Sequence, residues 1–183
     1  MKNLCVFCGS REGTKPAFKE SAVELGRKMV QEKINLVYGG SKAGLMGAIS
    51  KVVLEGGGRV YGVSTNYLGA TFEQHHKELE DLEVVDSMHD RKRLLIEKSD
   101  AFLAIPGGIG TLDEIAEVLT LSSIGQHRRP IGLLNVEGYY DNLLAFFKTM
   151  SENKFHGSFD DLIWVGEDIE AFFQYARLPF IET

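Results

Sequence analysis

What this chain of 183 residues lacks narrows it first. Its only cysteines, Cys5 and Cys8, are too few for a disulfide framework, and a zinc site would need two further ligands. In a strand, residues three apart point to opposite faces, which suits neither a disulfide nor a shared metal, so both are expected as buried strand residues. There is no basic excess: 20 Lys and Arg against 26 Asp and Glu leave a net charge of −6, and no global field draws the chain to nucleic acid or to an anionic membrane. No apolar run approaches the roughly 20 residues that span a bilayer. Repeats, linkers and low-complexity tracts are absent too. The first residues lead straight into an apolar run, which does not read as a signal peptide, and the expected location is cytoplasmic. The length suits a single domain over residues 1–183, large enough to bury its own core.

What is present is a regular alternation. Short apolar runs at 4–8, 35–38, 60–64, 82–85, 101–105, 131–135 and 162–165 read as strands. Helical patterns fall at 16–32, 44–55, 88–98, 111–123, 138–153 and 167–176. Strands that are apolar throughout belong to a mainly parallel sheet covered on both faces. The class is therefore α/β, a single Rossmann-like, doubly wound domain. The least regular stretch, 65–81, reads as a loop or lid.

In this class ligands bind at the carboxyl ends of the strands, so the loops there carry the function. The most informative is Pro106-Gly-Gly-Ile-Gly-Thr-Leu-Asp-Glu114, three glycines and a threonine within six positions between a strand and a helix. Glycines admit a ligand close to the backbone, and the first helical N–H groups point at an anion. Glu114 follows within one turn. A carboxylate does not hold phosphate, so its place there suggests chemistry beside a phosphate. Thr111 and Glu114 also have capping-box spacing, and the sequence alone leaves capping and catalysis both open. A second glycine turn, Gly39-Gly-Ser-Lys-Ala-Gly-Leu-Met-Gly47, follows the second strand, and Gly9-Ser-Arg11 follows the first. Neither glycine turn ends as an NTP-binding loop does, and the first lacks dinucleotide-fold spacing, so a monophosphate fits better than a triphosphate or NAD.

Ser87-Met-His-Asp-Arg-Lys-Arg93 opens the helix after the fourth strand. Ser87 suits the N-cap, with Asp90 three residues on. Three cations in a first turn oppose the helix dipole, so at least one of Arg91, Lys92 and Arg93 is expected to face an anionic ligand or Glu114. His89 is a general-base candidate by residue type alone.

Taken together, Gly-Gly-Ser-x-x-Gly-Leu-Met-Gly, Met-His-Asp-Arg-Lys and Pro-Gly-Gly-Ile-Gly-Thr-Leu-Asp-Glu resemble the LOG family. The likeness runs in unbroken order from Leu4 to about Phe155. It implies a Rossmann-like homodimer that cleaves the N-glycosidic bond of an N6-modified adenosine 5′-monophosphate, or of AMP, without metal or cofactor. It places the catalytic pair on Arg91 and Glu114. Substrate and phosphate contacts fall on Gly40, Ser41, Gly44, Met46, Gly47, Met88, Lys92, Gly107, Gly108, Gly110 and Thr111, with Glu73 by the ribose. The chain departs from the family at Asp113, where a glutamate is common, at Leu121 and Ser122, where a tryptophan often stands, and at Ser64-Thr-Asn66. The apolar stripe of helix 111–123 is a candidate dimer face, and Arg91 or Arg128 and Arg129 could reach a partner's pocket. The competing reading is a non-catalytic carrier of a nucleotide or of molybdenum cofactor.

Overall fold

A computed structural model of the chain describes residues 1–71, 76 and 79–177. Its strands are β1 (Asn3–Phe7), β2 (Asn35–Tyr38), β3 (Val60–Thr65), β4 (Asp81–Val85), β5 (Ala101–Ala104), β6 (Ile131–Leu134) and β7 (Trp164–Gly166). All pair in parallel, in the order β4-β3-β2-β1-β5-β6-β7. The chain winds outward from β1 to β4, then crosses back to place β5 on the other side of β1. That reversal puts the topological switch point between β1 and β5, where a doubly wound sheet leaves a crevice.

Helices cover both faces. α1 (Pro16–Gln31), α2 (Gly44–Glu55) and α7 (Ile169–Tyr175) pack Leu25, Met29, Ile49 and Phe172 onto one face. α4 (Met88–Glu97), α5 (Ile109–Ser123) and α6 (Asp141–Glu152) pack Leu95, Val118, Leu119 and Phe147 onto the other. The central strands β1, β2, β5 and β6 are buried almost throughout because they are covered twice. Cys5 belongs to one core cluster and Cys8 to the other, neither in a disulfide, and burial pushes the Cys5 thiol well up. Among the described residues no helix is long and apolar enough to cross a membrane.

Three local expectations change. Residues 66–71, read as loop, form a short helix, α3 (Asn66–Thr71), in which Thr65 Oγ1 accepts the Leu68 N–H at 3.2 Å. Six residues are too few to show a 3.6-residue period in the sequence. The helix expected at 111 begins at Ile109, with Gly108 as N-cap. The helix expected from 138 begins at Asp141, after a 3-10 turn (Val136–Gly138) in which Glu137 and Gly138 take positive φ of 48° and 71°.

The turn between α5 and β6 is tied down by His127. Its Nε2 lies 3.1 Å from the Val118 carbonyl, and its Nδ1 accepts the Arg129 N–H at 3.2 Å, which makes Nε2 the protonated nitrogen. Arg129 stacks on Phe102 and donates to the Ile96 and Ser99 carbonyls at 2.5 and 2.9 Å, closing the C-terminal end of α4. Arg129 therefore serves its own fold. Burial, helped by the Arg129 charge, lowers the His127 pKa from 6.5 to about 4. A depressed pKa means that the unfolded chain binds the proton first. The contribution is full above pH 6.5 and is lost as the pH falls toward 4, by about 1–2 kcal/mol after allowing for solvent screening. Urea unfolding of the wild type and His127→Gln should show a stability difference that shrinks over this window; a constant difference would contradict the assignment.

Candidate active site

Arg91 reaches its position through a short chain of local causes. Ser87 caps α4, its Oγ accepting the Asp90 N–H at 3.1 Å and donating to the Asp90 carboxylate at 2.7 Å. This fixed first turn turns Arg91 inward, where it is 4% exposed. Its Nε donates to the Val63 carbonyl at 3.0 Å, Nη2 to the Gly39 carbonyl at 3.4 Å and Nη1 to Glu114 Oε1 at 2.7 Å. Three elements thus receive one guanidinium, which offsets its removal from water. Gly39 makes the room: a β-carbon there would fall on Arg91 Nη2.

Glu114, 8% exposed, stands in the second turn of α5. Because the helix starts at Ile109, Thr111 lies inside it and neither residue serves as a side-chain cap. The capping-box reading is therefore set aside, and Glu114 is held by Arg91. It sits one turn beyond the N–H groups of Ile109, Gly110 and Thr111, which helix geometry leaves without intrahelical partners.

The pair opens onto a cavity of about 600 Å³ at the β1–β5 switch point, in the size range of small-molecule sites. Of the residues expected at the site, Met46, Met88, Arg91, Gly107, Gly108, Gly110, Thr111 and Glu114 line it. Gly40, Ser41, Gly44, Gly47 and Lys92 do not; Glu73 lies outside the described residues. The glycine turn before α2 packs against the turn after β1, with Leu45 and Met46 on the cavity wall. The N–H groups of Leu45 and Met46 both point at the Gly9 carbonyl, at 3.0 and 3.3 Å, so this helix start is occupied by the chain itself. Gly44, with φ of 59°, packs so closely on the Ser10–Arg11 peptide that a β-carbon would fall on it. Lys92 turns to Asp113 at 2.9 Å and Glu117 at 2.6 Å, while His89 is exposed and absent from the lining.

Sequence reasoning missed two latches on the glycine loop. Tyr139, on the cavity wall, donates its hydroxyl to the Gly107 carbonyl and meets Phe18 edge to face at 5.4 Å. Tyr140 donates to the Ile105 carbonyl at 2.8 Å, and burial raises its pKa. The positive-φ turn at Glu137 and Gly138 aims both rings, and a Glu-Gly-Tyr-Tyr run is the only signal of it in the sequence. No group of three or more potential metal ligands occurs among the described residues.

Comparison with known proteins adds an independent line. A family profile described as "Possible lysine decarboxylase" matches residues 46–174. A probable cytokinin riboside 5′-monophosphate phosphoribohydrolase of Oryza sativa subsp. japonica is 44% identical over 155 residues, 85% of this chain and 67% of that protein. Two cytokinin riboside 5′-monophosphate phosphoribohydrolases of Arabidopsis thaliana are each 47% identical, over 79% and 84% of this chain and 66% and 72% of their own lengths. The matched segment thus spans about two thirds of those proteins. Among solved structures, a molybdenum cofactor binding protein from Rippkaea orientalis superposes with a TM-score of 0.69 at 22% identity, covering 96% of this chain and 95% of that one. The molybdenum cofactor carrier protein of Chlamydomonas reinhardtii gives 0.71 at 21%, covering 95% of each chain. At that identity the structures share the fold.

Proposed function

The chain belongs to the LOG family, matched by a profile over most of its length and by relatives above 40% identity, and from that premise we propose that it is an N-glycosidase. It hydrolyses the N-glycosidic bond of adenosine 5′-monophosphate, or of its N6-modified forms, to free base and ribose 5-phosphate. The observation that carries the proposal is the buried Arg91–Glu114 pair, opening onto the cavity one turn beyond the N-terminus of α5.

The chemistry follows from that placement. As the bond from the anomeric carbon to the base breaks, positive charge develops on the sugar, and a fixed carboxylate offsets it. Glu114 takes that role and accepts a proton from the attacking water, whose oxygen bonds to the anomeric carbon as the bond to the base breaks, and that proton is then passed to the departing base nitrogen. Arg91 is the positioning residue that orients Glu114. The phosphate sits on the first N–H groups of α5 and the backbone of Gly107 to Thr111. Its binding energy places the ribose at Glu114 without touching the breaking bond. Residues 1–183 act as one nucleotide-binding unit, functioning in the cytoplasm as a homodimer. Exposed Leu112 on α5 and Ile124 at its end are in keeping with a dimer surface.

The deciding experiment is chromatographic detection of base released from AMP and from N6-isopentenyl-AMP. Faster release from the modified nucleotide identifies a cytokinin-forming enzyme, and release from AMP alone an AMP nucleosidase. Nucleotide binding without release of either base would overturn the proposal in favour of a carrier.

A further inference from the structure

Four charged residues line the cavity: Arg11, Glu12, Arg91 and Glu114. Arg91 and Glu114 neutralise each other at 2.7 Å, and Glu12 is paired with Lys19 at 2.7 Å. Arg11 has no side-chain partner among the described residues. The cavity wall therefore carries one uncompensated positive charge, in a chain whose overall charge is −6.

The backbone beneath that charge is fixed from both sides. The Gly9 N–H donates to the Pro106 carbonyl at 3.1 Å, tying the turn after β1 to the loop that opens α5. From the other side, the first N–H groups of α2 hold the Gly9 carbonyl, and Gly44 lies against the Ser10–Arg11 peptide. A tethered main chain thus places the exposed Arg11 among the residues that line the same cavity as the start of α5. Free cations on a surface are ordinary. One on a tethered turn at the switch point, beside a helix start and with the carboxylates of the cavity wall already paired, is matched to an anion from outside.

We infer that Arg11 is a binding residue for the substrate's 5′-phosphate, contributing a charge-assisted fork to the dianion that the α5 N–H groups receive. This rests on the nucleotide reading above and deepens it, because it separates the site into a phosphate end and a sugar end. The two glycine turns then have different roles. The one before α5 meets the ligand, and the one before α2 holds Arg11 in place.

The test uses the full chain as wild type, Arg11→Gln and Arg11→Lys, with AMP and adenosine as paired probes. Arg11→Gln should raise KM for AMP about 10–100-fold, the usual size of a lost charged hydrogen bond, and leave kcat within about threefold. Adenosine should bind all three proteins alike, and Arg11→Lys should recover part of the loss. Wild-type affinity for AMP should also rise as the phosphate loses its second proton, near pH 6, and that rise should flatten in Arg11→Gln. An unchanged KM and pH slope in Arg11→Gln, or equal losses for AMP and adenosine, would overturn the inference while leaving the glycosidase reading intact. If the wild type releases no base, calorimetric binding of the same probes still decides: selective loss of AMP binding supports Arg11, and no AMP binding by the wild type sinks both.

Discussion

Glu114→Gln should lower base release by about 10²–10⁴-fold, the range for removing a positioned acid–base group. AMP binding should change only a few-fold, because the phosphate contacts lie elsewhere in the cavity. The same variant should lose stability, and the reason is separate. Arg91 is 4% exposed and its carboxylate partner stands 2.7 Å away. Neutralising one member of a buried pair leaves an uncompensated charge, at a cost of about 3–5 kcal/mol. Arg91→Met should cost a similar amount, by stranding Glu114. The double variant Arg91→Met/Glu114→Gln should recover much of the stability and none of the activity, since both buried charges are then gone. Turnover and urea unfolding of the four proteins read the two effects apart. Undiminished turnover in Glu114→Gln would remove the carboxylate from the mechanism.

Gly39→Ala is the second large effect, at a residue that does not line the cavity. Its added methyl would fall on Arg91 Nη2 and lie 3.0 Å from the Met46 sulfur. The guanidinium must move, and with it the orientation of Glu114. Misplacement of a catalytic group by about 1 Å can reduce turnover about 10²-fold, and overpacking of a filled site costs about 1–3 kcal/mol. Gly157→Ala is the matched control, because no atom lies within 4 Å of its added carbon. Adding Arg91→Lys to Gly39→Ala should relieve the crowding, since the lysine side chain has no planar fork, and regain stability without regaining turnover. Wild-type kcat in Gly39→Ala would show that Arg91 does not act through its present seat.

Much of this arrangement is legible in the residues, for reasons that can be traced. The strands stand out because parallel strands covered twice are apolar in unbroken runs, as at Ala101–Ala104. Ser87 reads as a cap because its partner is three residues away, and the structure has that bond. The opposed faces of Cys5 and Cys8 follow from strand periodicity and hold across the two core clusters. Where the structure departs from these spacings, the causes are as definite. Thr111 and Glu114 have the spacing of a capping box, but the helix starts at Ile109, where Gly-Ile-Gly carries no start signal. The turn before α2 looks like a second phosphate loop because its glycines are placed as such a loop requires. Its N–H groups go instead to Gly9, a contact between distant segments.

By itself the sequence determined what depends on near neighbours and on period: the alternating elements, the doubly covered sheet, the glycine loop at a strand's end, and the family. Only the tertiary structure decided which groups meet. Arg91 bonds to residues 23, 28 and 52 positions away, and Tyr139 reaches 32 positions back to Gly107. The free charge of Arg11 is likewise a result of every other charge on the cavity wall finding a partner. Such pairings depend on the order and packing of the strands, and no local spacing encodes them.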